Sequence, residues 1–359
     1  MKFMKRQITP VFLPFLVLVT LKLAAQPVIT QQPTNQMVLA GAKASLYAGV
    51  SGVGPFTFQW QFNGTNLNNI SNLVATVAGG KNLYVYFGDG GPATNAALHD
   101  PAGVVVDPQG NLLIADTANS RIRKVDTNGI ITTVAGNGEA LFGGDGGMAI
   151  NAFLYLPQAV AADGSGNLFI ADTDNNRIRE VGTNGIITTV AGGKGASSGV
   201  GDGLAATNAN LSLPDGVCLD AVGNLYIADK GNNRIRQVNT NGIISTVAGN
   251  GSATFAGDGG PATSAGLPAP AQITMDCSGG LIIAGGAGNR VRRVDTNGII
   301  STIAGTGSAA FSGDGGLATN ACLDDPSGVV TDLSGNLFIV DSLNNCIREV
   351  YPTALLSGY

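Results

Sequence analysis

LPQAVAADGSGNLFIADTDNNRIREVGTNGIITTVAGG, residues 156–193, decides the fold. Four short runs of strand-forming residues, Gln158–Ala162, Leu168–Ala171, Arg177–Val181 and Ile186–Ala191, are separated by clusters of Gly, Asn and Asp. Those clusters supply the left-handed backbone that tight reversals need, and Asp172, Asn175 and Asn176 can bond their own backbone in the turn between the second and third runs. The stretch predicts a four-stranded antiparallel meander.

The same text recurs along the chain. Its arginine marker stands at Arg121, Arg177, Arg234 and Arg290, with Cys346 in the fifth place, at spacings of 56, 57, 56 and 56 residues. One such unit cannot bury its apolar faces alone, so the copies must pack against each other. A twisted four-stranded sheet, apolar on both faces and repeated, describes a propeller blade held between two neighbours. The fold expected is therefore all-β, a β-propeller of four-stranded blades. Five repeats favour five blades, with a six-bladed or an incomplete ring as the alternative.

The ends of the array suggest how it closes. The fifth unit lacks a TNGII strand, whereas an orphan copy of that outer strand, NLVATVAGG at 72–80, precedes the first full unit. If the orphan completes the fifth blade, it removes exposed sheet edges and buries Val74 and Val77.

Around the array, residues 1–25 read as a secretory signal peptide: Lys2, Lys5 and Arg6 lead an apolar run from Ile8 to Leu21, and Ala24 and Ala25 offer a cleavage site. No later segment is apolar for long enough to span a bilayer, so no transmembrane span is expected in the mature chain. Residues 26–71 form a separate leading segment, 72–352 the propeller and 353–359 a C-terminal tail. In the leading segment Ala44–Val50 and Phe56–Phe62 alternate and read as a pair of strands.

GNLLIADTANSRIRKV at 110–125, GNLFIADTDNNRIREV at 166–181, GNLYIADKGNNRIRQV at 223–238 and GNLFIVDSLNNCIREV at 335–350 resemble NHL repeats. The added GDGGPATNAAL phrase, 88–98, is similar to the long NHL repeats of teneurin-type and bacterial surface proteins. Two units depart from the pattern: Gly285 replaces the strand-ending aspartate in the fourth, and Cys346 the arginine in the fifth. FTFQWQFNG at 56–64, with ASLYAGV at 44–50 before it, resembles the first half of an immunoglobulin-like domain, without that domain's later strands. The resemblance implies a secreted or cell-surface protein that binds or adheres.

Strand alternation puts the turns after the first and third strands on one face, and the loops after the second and fourth on the other. The second face carries the long connections between blades. Each holds a GDG aspartate, Asp89, Asp145, Asp202, Asp258 and Asp314, and ends on a leucine, Leu98, Leu154, Leu211, Leu267 and Leu323. These read as capped turns and as plugs between blades. The aspartates are also the calcium candidates, since carboxylates suit hard cations, but one carboxylate per loop is thin coordination, and no cofactor is the favoured reading. Aromatic residues vary within the repeating frame, and Tyr84, Tyr86, Phe87, Phe142, Phe255 and Phe311 are the candidate binding residues.

Charge and composition narrow the partners. Removing 1–25 leaves 15 basic against 24 acidic residues, a net charge of −9, which disfavours nucleic acid. The third-strand arginines are therefore expected to bridge to acids of the next blade. A protein or carbohydrate ligand of unknown identity fits the loop face. The rival is a hydrolase or lyase acting in the central channel, but a single histidine, His99, read as a solvated loop residue, cannot build a metal site of that kind, and the chain is not expected to be an enzyme. Cys218, Cys277, Cys322 and Cys346 lack CxxC spacing and read as small buried side chains, a Cys322–Cys346 disulfide being the alternative.

Overall fold

The computed structural model describes residues 76–80, 85–193, 200–332 and 335–351, together with the backbone of five short strands before residue 67. The chain divides into two compact units, Met1–Ala75 and Thr76–Tyr359. The signal-peptide reading, Val74, Tyr84 and the tail at 353–359 fall wholly or largely outside the described residues.

In the first unit Phe15–Thr20 pairs antiparallel with Thr57–Phe62, which also pairs with Thr65–Asn66. Gly49–Ser51 pairs instead with Val28–Gln31. The strand through Trp60 is thus where the alternation put it, and its described partners are Phe15–Thr20 and Thr65–Asn66, while most of the stretch ending at Val50 lies outside the described residues. Alternation locates a strand and its faces; it carries no information on which edge will meet it.

The second unit is a β-propeller of five blades. Pro157–Ala162, Leu168–Asp172, Arg177–Val181 and Ile187–Gly192 make the second blade, each strand bonded to the next. The first, third and fourth blades repeat this order at Pro101–Ala135, Pro214–Ala248 and Ile273–Ala304. The fifth, Pro326–Thr331, Leu337–Asp341 and Cys346–Val350, has three strands among the described residues. Its proposed completion by 72–80 rests partly on residues outside that set. Within it, Val77 is exposed rather than buried.

The turns form as their residues dictate. Asp163 Oδ1 accepts from the N–H groups of Ser165 at 2.9 Å and Asn167 at 2.8 Å, closing the reversal between the first two strands. After the second strand a three-residue 3-10 turn, Thr173–Asn175, ends on Asn176 with φ of 53°, the left-handed region that asparagine tolerates. Between blades the core is continuous. Ile122 and Ala135 of the first blade meet Val160 and Ile170 of the second, and Leu154 from the connection fills the same boundary at 0% exposure. Leu211, Leu267 and Leu323 lie in the three boundaries that follow.

Candidate functional site

The loop after the second strand and the long connection share one face of the propeller, as strand direction requires. Asn175 Nδ2 donates to Leu141 O at 2.8 Å, and Asn344 Nδ2 donates to Ala310 O at 2.9 Å, each joining a loop to the connection of its own repeat. The connection is also pinned by its backbone: Gly146 N–H donates to Ile187 O and Ala149 N–H to Gly185 O, both at 2.8 Å.

Under this face an arginine organises every repeat. Arg123 is fully buried and lies between two carboxylates, Asp116 Oδ2 at 3.0 Å and Asp89 Oδ1 at 2.6 Å. Arg179 is held by Asp172 and Asp145, Arg236 by Asp229 and Asp202, and Arg348 by Asp341 and Asp314. Arg292 has Asp258 alone, because Gly285 stands in the place of the second acid. The arginines therefore bridge to acids of their own repeat, 34 and 7 residues earlier in the chain, and not to the next blade. A buried guanidinium needs charge compensation and acceptors, and the connection folded over its own blade supplies them to the terminal nitrogens, leaving Nε of Arg123 and Arg236 without a partner.

The GDG aspartates have a second duty. Asp89 Oδ2 accepts from Thr133 N–H at 2.9 Å and from the Tyr86 hydroxyl at 2.6 Å, and Asp145 Oδ2 accepts from the Thr189 hydroxyl at 2.7 Å. Burial pushes the Asp89 carboxyl up, yet these donors and the charge of Arg123 outweigh it and leave the group below the ordinary aspartate range. Among the described residues no cluster of three His, Cys, Asp or Glu could hold a metal ion. His99 is half-buried in its loop, and its backbone N–H donates to Asp116 Oδ1 at 2.7 Å.

The second arginine of each pair shapes the surface. Arg121 donates through its two terminal nitrogens to Asn119 O at 2.9 Å and Asn137 O at 2.5 Å, and its guanidinium lies 3.7 Å from the centroid of the Tyr86 ring. Phe142 lies on Arg177 and Phe255 on Arg290 at the same 3.7 Å, and Phe311 lies 4.8 Å from Arg348. Three of the aromatic candidates are thus fixed on the same arginine of their repeats, while Phe311, whose repeat has Cys346 in that place, lies only by the inner Arg348. Tyr86, Phe142 and Phe311 are exposed, whereas Phe255 is half-buried. Phe87 is exposed without such a partner, and Val85 and Leu141 add aliphatic surface beside it and Phe142. The stacking was not legible beforehand, because nothing in the strand pattern says that an aromatic two residues before GDG will lie over a strand 35 residues later.

All four cysteines are free thiols, Cys277 exposed and the others half-buried. Burial, with a smaller contribution from Asp220, pushes the Cys218 thiol up to about 12, so it remains protonated and inert.

Comparison with known proteins agrees with this geometry. The Teneurin NHL domain family matches residues 82–142, 138–200 and 194–256. Mouse Teneurin-1 is 30% identical over 286 residues, 69% of this chain and 10% of that protein, and human Teneurin-4 is 33% identical over 294 residues, 70% and 10%. This chain spans about a tenth of the length of these relatives. Among solved structures, an auxiliary nutrient binding protein from Bacteroides thetaiotaomicron superposes with a TM-score of 0.52 at 14% identity, over 72% of this chain and 60% of that one, a likeness of fold alone. With the repeated blades, the GDG connections and three matched units together, the chain is an NHL-repeat β-propeller protein of the teneurin NHL type.

Proposed function

We propose that this propeller is a non-catalytic binding or adhesion module working outside the cytoplasm, with a protein or carbohydrate ligand on the face that carries the long connections. The observation that carries the reading is the set of aromatic side chains held on arginines at that face: Tyr86 on Arg121, Phe142 on Arg177 and Phe255 on Arg290. Each guanidinium is itself anchored to backbone carbonyls, so the rings lose little freedom when a partner arrives. Rigid aromatics on a fixed frame are the side chains from which strong contacts are usually built. Phe87 and Phe311 extend the same exposed rim.

The experiment is a glycan and protein array probed with the full-length chain and then with a Phe87→Ala/Phe142→Ala/Phe311→Ala variant. Hits on the wild type that weaken at least about tenfold in the variant, with the melting temperature little changed, support the reading. Hits that are indifferent to the three substitutions place the binding surface elsewhere.

A further inference from the structure

The third repeat departs from its neighbours where the long connection crosses the blade. Arg234 is held as Arg121 and Arg177 are: its Nη1 donates to Asn232 O at 3.0 Å and its Nη2 to Asn250 O at 2.9 Å. A Cβ added at Gly251 would lie 2.6 Å from Nη1, 2.8 Å from Nη2 and 2.9 Å from Cζ, so this glycine lies against the guanidinium, as Gly138 does against that of Arg121 and Gly307 against that of Arg290. The cation is fixed in position and orientation.

Elsewhere a ring completes the stack. Tyr86, Phe142 and Phe255 each stand three residues before the GDG aspartate of their repeat, with the ring centroid 3.7 Å from the guanidinium carbon of Arg121, Arg177 and Arg290. In the third repeat the residue three before Asp202 is Gly199, and KGASSG at 194–199, outside the described residues, contains no aromatic residue. The connection that follows is in its usual place: Arg236 Nη2 donates to Val200 O at 3.0 Å and to Asp202 Oδ1 at 2.7 Å, matching Arg292 with Ala256 O and Asp258 Oδ1 at 3.1 and 2.5 Å. Among the described residues no ring lies on Arg234 or Arg236, although the inner arginines of the other four repeats each have one within 5.0 Å.

We propose that the missing ring comes from outside, Arg234 being the seat for an aromatic side chain of a partner protein. The inference rests on the loop-face reading and names its partner's chemistry. A guanidinium makes its hydrogen bonds in its plane, is weakly hydrated and is attracted to the face of Trp, Tyr or Phe. Three repeats build that stack from their own chain, and the third has the cation without the ring. A saccharide has no π face to set on a cation, so the seat favours a protein over a carbohydrate ligand. The adjoining blades agree: at the equivalent places stand Phe142 with exposed Leu141 on one side and half-buried Phe255 on the other, apolar surface that a protein inserting one ring also covers.

The test is a titration of the isotope-labelled full-length chain with the N-acetyl amides of tryptophan, tyrosine and phenylalanine, read at the backbone amides of Asn233 and Gly251. Both are expected to shift with half-saturation on the order of tens of millimolar, tightest for tryptophan, while Gly138, Gly193 and Gly307 beside the covered arginines stay still. N-acetyl-leucine amide and methyl glucoside, which lack a π face, are expected to bind at least about tenfold more weakly. Arg234→Ala is expected to fold, since the fifth repeat forms its third strand with Cys346 in that place, and to lose the shifts. Shifts that are absent, that are equal at all four arginines, that survive Arg234→Ala or that the leucine amide or the glucoside reproduces at equal concentration overturn the proposal. The array variant leaves Arg234 untouched, so the seat and the loop-face reading fail separately.

Discussion

The second and fourth repeats are built on the same plan, and one of their differences, Gly285 where the second has Asp172, separates two jobs that look like one. In the second, Asp172 accepts from Arg179 at 3.2 Å, from Tyr155 N–H at 2.7 Å and from Asn175 Nδ2 at 3.0 Å. In the fourth, Gly285 stands there, and the loop is closed by its own backbone, Gly285 N–H to Arg290 O at 2.8 Å. Arg292 nonetheless remains buried, now with Asp258 Oδ1 at 2.5 Å and the carbonyls of Gly266 and Ala256 at 2.9 and 3.1 Å. The inner strand shrinks to Ile273–Met275 from the six residues of Pro157–Ala162. The connection's aspartate is therefore the one a buried arginine needs, and the strand-ending aspartate chiefly ties the start of the inner strand to the loop beside it.

The sharpest way to break this comparison is to remove the connection's aspartate from both repeats. Asp258→Ala leaves Arg292 buried without any acid and is expected to cost about 3–5 kcal/mol of stability in urea unfolding. Asp145→Ala leaves Arg179 with Asp172 and should cost about 1–2 kcal/mol, the loss of a charged hydrogen bond. Equal losses in the two variants would show that the second acid does not compensate.

The strand-ending position gives the next largest effect. Asp172→Ala strands the Tyr155 N–H, leaves the Asn175 amide with Leu141 O alone and removes one of the two acids that hold Arg179, for an expected loss of about 2–4 kcal/mol. The reverse exchange does not repair the fourth repeat. A Cβ added at Gly285 would lie 2.6 Å from Arg290 O, a backbone atom that cannot swing aside, so Gly285→Asp should lower the melting temperature rather than raise it. A rise would mean that the loop retains the freedom to adopt the aspartate form.

How much of this could be read beforehand follows from where the interactions lie in the chain. Arg177–Val181 was placed to the residue, and its neighbouring strands to within one, because period-two alternation between Gly- and Asn-rich reversals is a local signal. The leucine plugs were legible because five copies at one spacing leave a single buried role for them. The arginine pairs were not. Arg123 reaches Asp89 across 34 residues, and strict alternation would give Arg121 and Arg123 the same environment. Both do lie beside Tyr86, at 3.7 and 4.8 Å, but Arg121 at the end of the strand reaches the carbonyls of Asn119 and Asn137, whereas Arg123, two residues further in, is buried against Asp116 and Asp89. The pairing of Thr57–Phe62 was hidden for the same reason, since its partner is chosen by contacts distant in sequence.

The smallest effect concerns the turn between the first two strands, where the same two repeats diverge again. In the fourth, Arg293 faces Asp276 at 2.5 Å; in the second, Glu180 occupies that place and faces Asp163. Burial pushes the Asp276 carboxyl up, but Arg293, Ser278 and two backbone N–H groups outweigh it and hold the group at about 2, below its ordinary 3.8. A depressed carboxylate contributes stability that is complete above the unfolded value and is lost as pH falls from 3.8 towards 2. Asp276→Asn should therefore cost about 1 kcal/mol at neutral pH, the pair being close to solvent, and nothing once the wild-type group is protonated. Glu180 has the opposite sign: burial first, and then the charge of Asp163, raise it above 4.5, so its ionised form costs stability at any pH above that range. Glu180→Gln should stabilise slightly at neutral pH and be silent in acid. Melting curves of both variants from neutral pH downward test the pair together: the two differences from wild type should have opposite signs, that of Glu180→Gln vanishing as pH falls to 4.5 and that of Asp276→Asn only as pH falls from 3.8 towards 2, and a shared sign would refute the assignment of charges to these turns.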